Sequence, residues 1–138
     1  MSLPYYIYTY AFREEEHDLC QLEMRAMFGT GTNTHLLESS VAVDPSRSPF
    51  IKSRMEVMFE TQNISDMYKK VAGLQPERSF KVTLIDHDDR ARGEKIEFAE
   101  RRRIEKKLGL SILGEPELDN PEQIYGLMPI GNQRWCFG

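Results

Sequence analysis

Cysteine is scarce in this 138-residue chain: Cys20 and Cys136 stand far apart, with no partner at disulfide or metal-ligand spacing. In an intracellular setting that pattern reads as two buried thiols. No run of eighteen apolar residues occurs, and the N-terminus lacks the basic and then apolar pattern of an export signal, so a membrane span and secretion are not expected. The expectation is a cytoplasmic protein without a membrane partner. Enzyme signatures are missing too: there is no G-x-S-x-G, H-E-x-x-H, paired CxxC, phosphate-binding Walker loop or G-x-G-x-x-G after a strand. Asn120-Pro121-Glu122-Gln123-Ile124-Tyr125 approaches an Asn/Asp-Pro-Pro-Tyr motif but lacks the second proline, and it reads as a turn before a strand. His87-Asp88-Asp89 is a polar loop with too few ligands for a metal. Catalysis by these residues alone is not expected, and neither a catalytic residue nor a metal ligand is assigned.

What is present is an uneven distribution of charge. The net charge of −4 divides into −5 over residues 1–89, +4 over 90–107 and −3 over 108–138. A basic island therefore lies between acidic flanks, and the local field rather than the overall balance steers an anionic partner.

Hydrophobic periodicity orders the chain as strands and helices. Tyr5 to Ala11 reads as a strand; the acids between Arg13 and Asp18 suit the start of a helix, with Leu19, Leu22 and Ala26 as its apolar stripe, widened by Cys20, Met24 and Met27, and Gly29 as its stop. The loop Gly29-Thr30-Gly31 ends a helix, whereas phosphate cradles begin one. His35 to Val43 gives a second strand. Ile51, Met55, Val57 and Phe59 alternate with charged residues in a third. Asn63 caps a second helix carrying Ile64, Met67, Tyr68, Val71 and Leu74, and Phe80, Val82 and Leu84 form a fourth strand. A basic helix follows, closed at Gly109 and Leu110; then come a short strand near Leu110 to Leu113, and a final hairpin of Gln123 to Ile130 with Gln133 to Phe137 around Gly131-Asn132. Pattern alone reads the first six elements as β-α-β-β-α-β, a ferredoxin-like unit.

The basic helix carries the functional signal. Five cations fall within residues 101–107, and Arg102 with Lys106 and Arg103 with Lys107 are like-charged pairs one turn apart, an unfavourable arrangement on an exposed helix. Ile104 and Leu108 define its packing face, which places Arg102, Arg103 and Lys106 opposite and Arg101 at the packing flank, four residues from both Glu97 and Glu105. Arginine forks pair with phosphates, and each neutralised phosphate releases counterions. The candidate RNA-binding residues are Arg90, Arg92, Arg102, Arg103, Lys106 and Lys107.

Ser79-Phe80-Lys81-Val82, then Arg101-Arg102-Arg103-Ile104-Glu105-Lys106-Lys107-Leu108-Gly109, then Leu118-Asp119-Asn120-Pro121-Glu122 together resemble a THUMP domain. Tyr6-Ile7-Tyr8-Thr9-Tyr10 and Leu19-Cys20-Gln21-Leu22-Glu23-Met24-Arg25 resemble the ferredoxin-like domain that precedes THUMP in tRNA guanosine methyltransferases. The resemblance covers nearly the whole chain. It implies an α+β fold: a ferredoxin-like α/β sandwich in residues 1–61, followed by a THUMP-type α/β domain in residues 62–138. It also implies a tRNA-binding module that grips the acceptor stem and its 3′ end and holds a covalently linked, Rossmann-type methyltransferase domain over its target. On this reading the chain is the N-terminal part of an S-adenosylmethionine (SAM)-dependent tRNA guanine methyltransferase; it binds no cofactor itself, and SAM belongs to the catalytic domain. The rival expectation from the element order is a small-molecule-sensing or dimerising ferredoxin-like domain.

Overall fold

The computed structural model describes residues 5–32, 34–85, 97–112, 116–117, 119–130 and 134–138. The described chain divides into two compact units, one ending at Val57 and one beginning at Met58. The architecture is α+β, as expected, with one sheet in each unit.

In the first unit, strands β1 (Tyr6–Tyr10), β2 (Leu36–Ser39) and β3 (Ile51–Glu56) form an antiparallel sheet with β1 at its centre. Helix α1 (His17–Phe28) follows a 3-10 turn at Glu14–Glu16 and ends at Gly29, whose φ of 76° is the left-handed conformation that a residue without Cβ adopts at least cost. Cys20 and Met24 enter a core with Tyr8, Tyr10, Leu37, Val43, Phe50 and Ile51. The buried Tyr8 hydroxyl donates to the Val41 carbonyl and accepts from the Val43 amide, which ties the chain after β2 to the central strand.

One expectation is corrected here. Leu19 and Leu22 are 59% and 63% exposed, and Ala26 is also exposed. Cys20, Met24, Met27 and Phe28 make an adjacent apolar stripe, and the helix turns that one toward the core. Both stripes satisfy helical periodicity, and aromatic contact with the sheet selects between them: the Phe28 ring lies 4.7 Å from that of Tyr8.

The second unit contains β4 (Phe59–Thr61), α2 (Ile64–Val71), β5 (Phe80–Leu84), α3 (Phe98–Ser111), β6 (Gln123–Ile130) and β7 (Arg134–Phe137), with sheet order β4-β7-β6-β5. Helix α3 lies in the crossover between the parallel strands β5 and β6, and β6 and β7 form the expected antiparallel hairpin. Its Gly131-Asn132 connection lies outside the described residues, as does the His87-Asp88-Asp89 loop. The Asn63 side chain accepts from the Asp66 amide at 2.8 Å, capping α2 as expected, an arrangement that contributes about 1 kcal/mol. Met67 and Val71 from α2, Phe80, Val82 and Leu84 from β5, and Ile104 and Leu108 from α3 meet Leu127 and Phe137 in the core.

Further differences from the sequence pattern concern continuity. The alternating run from Ile51 to Phe59 is two strands: β3 pairs with β1, whereas Phe59–Thr61 pairs with β7. The sequence places the domain boundary between residues 61 and 62; the hydrogen-bonded partners of β4 place those three residues in the second sheet. For the same reason the β-α-β-β-α-β order does not close on one sheet. Finally, Gly109 is no cap. Helix α3 continues to Ser111, so Leu110 is helical, and Gly109 is buried where a Cβ would stand 3.2 Å from Cγ of Pro116. Its missing side chain permits close approach rather than a left-handed turn.

Candidate nucleic-acid interface

Helix α3 is fixed to the outer strand of the second sheet by two of its own charged residues. The Leu84 amide donates to Oε2 of Glu105 at 2.8 Å, and the Leu84 carbonyl accepts from the Arg101 guanidinium. Arg101 and Glu105 approach to 4.0 Å along the helix. Arg101 is therefore structural, consistent with its place at the packing flank.

The remaining cations separate into two groups. Arg102 and Lys106 line a groove of about 430 Å³ between α3 and β5, together with Lys81, Val82, Glu105, Gly109, Leu110 and Pro116. Three cations and one carboxylate thus surround walls supplied by Val82, Gly109, Leu110 and Pro116. Arg102 also passes over the exposed Phe98 ring, with its guanidinium carbon 5.5 Å from the ring centroid.

Arg103 and Lys107 lie on a different flank of α3. Arg103 forms an ion pair with Glu100 one turn earlier, and the hydrogen bond and charge of Glu100 raise its pKa. Lys107 Nζ sits 4.5 Å from the centroid of the Tyr68 ring on α2. Burial raises the Tyr68 pKa; the positive charge of Arg103 opposes this and the negative charge of Glu100 adds to it. Both cations have partners within the unit, and the Arg103 side chain is 74% exposed.

Of the six candidates from the sequence, the structure brings Arg102 and Lys106 together in the groove and turns Arg103 and Lys107 toward α2. Arg90 and Arg92 lie outside the described residues. Lys81 is the groove residue that sequence reasoning missed. In sequence it is one polar position of an alternating strand, and its nearness to Arg102 and Lys106 arises only when β5 packs beside α3. Among the described residues no group of three or more His, Cys, Asp or Glu side chains could hold a metal ion. No described helix is long and apolar enough to cross a membrane. Both cysteines are buried, and they form no disulfide with each other.

No protein-family model matches the chain, and no curated protein sequence matches it. Several solved structures share its fold, among them the two that follow. PH1313 from Pyrococcus horikoshii Ot3 is 16% identical with a TM-score of 0.59, over 97% of this chain and 53% of that one. A 4-thiouridine synthetase, solved as an RNA complex with bound ATP, is 13% identical with a TM-score of 0.57, over 99% of this chain and 41% of its own. The chain thus spans about half the length of one neighbour and about two fifths of the other. At these identities the likeness establishes the fold.

Proposed function

We propose that the chain is an RNA-binding module of THUMP type that recognises tRNA for a SAM-dependent methyltransferase domain carried by the same polypeptide. The convergence of Lys81, Arg102 and Lys106 on one groove carries the RNA-binding part of this reading. These cations share a lining with few acids, whereas Arg101 and Glu105 are committed to holding the helix. The fold shared with a 4-thiouridine synthetase bound to RNA supports the same partner. The methyltransferase context rests on the resemblance of the motif order, and the acceptor stem as the region gripped follows from that resemblance alone. SAM would be bound by the catalytic domain and not by this chain.

Binding of unmodified tRNA, followed by fluorescence anisotropy across a salt series, tests the RNA-binding part. Affinity should fall steeply with salt, and Arg102→Ala with Lys106→Ala should reduce both the affinity and the slope, by about 0.7 to 0.9 in the slope for each phosphate no longer neutralised. An unchanged slope in the double variant would overturn the groove as the contact surface. The methyltransferase part is tested in the full-length polypeptide: methyl transfer from labelled SAM to tRNA should fall in the same double variant. Full-length protein that binds tRNA but transfers no methyl group overturns only that part.

A second reading, self-association through the first unit, rests on the exposed Leu19 and Leu22 of α1. A monomer in sedimentation at high micromolar concentration would dismiss it.

A further inference from the structure

Helix α1 is apolar on two sides. Cys20, Met24 and Phe28 face the core of the first unit, while Leu19, Leu22 and Ala26 make an outward stripe over two turns, the leucines 59% and 63% exposed. Asp18 and Arg25, seven residues and so two turns apart, flank this stripe on the same side. The Asp18 side chain is fully exposed, and its carboxylate lies 3.4 Å from the neighbouring His17 ring. Arg25 is exposed too, and among the described residues no ion pair engages it. An acid near one end of the stripe and a base near the other are thus both open to a partner.

The order of these charges selects the occupant. A contact between identical copies needs a self-complementary patch, and a stripe that is acidic at one end and basic at the other meets that need when two helices run antiparallel. A two-fold axis crossing α1 between Gln21 and Leu22 sets Asp18 of each copy against Arg25 of the other. One register therefore makes two ion pairs. In it Leu22 meets Leu22 of the second copy, and Leu19 faces Ala26 of the second copy, whose small side chain lets the helices approach closely. RNA and an anionic membrane surface are disfavoured on this side, where Glu15 and Asp18 outnumber Arg25. One short helix from each copy makes a small interface, so the pairing is weak and the dilute chain is a monomer.

We propose that two copies of the chain pair through α1, antiparallel about a two-fold axis, with Leu19, Leu22 and Ala26 as the apolar centre and two Asp18–Arg25 ion pairs at its margin. This rests on the self-association reading and adds its contact residues and register. The basic groove is built from residues of the second unit alone, so substitutions on α1 leave its lining intact.

The test is sedimentation equilibrium of the whole chain, up to several hundred micromolar. It compares the unaltered sequence with Asp18→Arg, with Arg25→Asp, with the two combined, and with an equimolar mixture of the single variants. The unaltered chain should dimerise, more weakly as salt rises. Each single reversal sets like charges together at two places and should weaken the dimer about tenfold. The combined reversal and the mixture both restore opposite charges, and both should recover the original affinity to within about threefold. A dimer indifferent to the single reversals, or one that the combined reversal fails to recover, overturns the register and leaves self-association standing. A chain that stays monomeric overturns both and leaves the stripe to a different partner. Circular dichroism checks that each variant folds. Should Asp18→Arg fail to fold, Arg25→Asp decides alone: its residual dimer should tighten as salt rises, the reverse of the unaltered chain, and loosening overturns the register.

Discussion

Arg101 and Glu105, one turn apart on α3, hold the two backbone groups of a single residue, Leu84: the arginine donates to its carbonyl and the glutamate accepts from its amide. This clamp closes one end of the outer strand β5 and fixes the rotation of the helix about its axis. With Ile104 and Leu108 in the core, that rotation brings Arg102 and Lys106 into the groove beside Lys81. The two kinds of charge on this helix therefore do different things: one pair positions the element, and the other faces the ligand.

Removing the acceptor side of the clamp should cost stability. Glu105→Ala leaves the Leu84 amide without its partner in a partly buried site, a loss of about 1–3 kcal/mol. Glu105→Gln keeps an acceptor oxygen and should lose less. Urea unfolding followed through Trp135, the single tryptophan and part of this unit's packing, measures both. Equal stability of Glu105→Ala and the unaltered chain would mean that the clamp contributes nothing.

The two flanks of α3 should be separable in binding. Arg102→Ala with Lys106→Ala should weaken RNA binding more than Arg103→Ala with Lys107→Ala, although each pair removes two positive charges. Arg103 is engaged by Glu100 and Lys107 by the Tyr68 ring, whereas Arg102 and Lys106 line the groove. Equal losses in anisotropy titrations would show that overall charge, not the groove, governs affinity.

Helix α1 offers a test of facing. Met24→Ala, at a fully buried position, should cost about 2–5 kcal/mol, whereas Leu22→Lys should stay within about 0.5 kcal/mol. Thermal unfolding of the two variants in parallel reads the difference. A large loss in Leu22→Lys would mean that the exposed stripe is covered in solution.

Alkaline pH should loosen the first unit. Burial, with Glu23 and Glu16 adding, pushes the Cys20 thiol up from its ordinary value of 9.0 to about 11, and burial, with Cys20, Glu23 and Tyr8 adding, raises the Tyr10 phenol. Both groups are neutral when protonated, and the unfolded chain releases their protons at lower pH than the folded one. The stabilisation is thus complete below about pH 9 and is lost as pH rises through the folded value near 11. Urea midpoints measured across that window should fall, and Cys20 should resist alkylation at pH 8 in the folded chain. Rapid native alkylation of Cys20 would contradict this.

Several local features were legible in the residues themselves. The Asn63 cap, the Gly29 stop, the alternation of Phe80, Val82 and Leu84, and the Ile104 and Leu108 face of the basic helix all depend on backbone geometry within a few residues, and the structure agrees with each. The division of the cations into clamp and groove was legible only in part: helical spacing separated Arg101 from Arg102, but which of the exposed cations line the groove depends on where β5 lies.

Contacts made at a distance account for the rest. Two apolar stripes on α1 satisfy the same period, and only the packed sheet decides that Cys20 and Met24 are buried while Leu19 and Leu22 are not. The run from Ile51 to Phe59 largely alternates, with Ser53 and Met58 out of step, and pairing with β1 on one side and β7 on the other divides it. Gly109 looks like a helix terminator until Pro116 is seen to need its space. The residues of α3, taken alone, dictate that a basic helix forms and that Ile104 and Leu108 are its buried face. That Arg102 and Lys106 share a groove with Lys81 is a matter of packing, because it depends on which strand edge the helix lies beside.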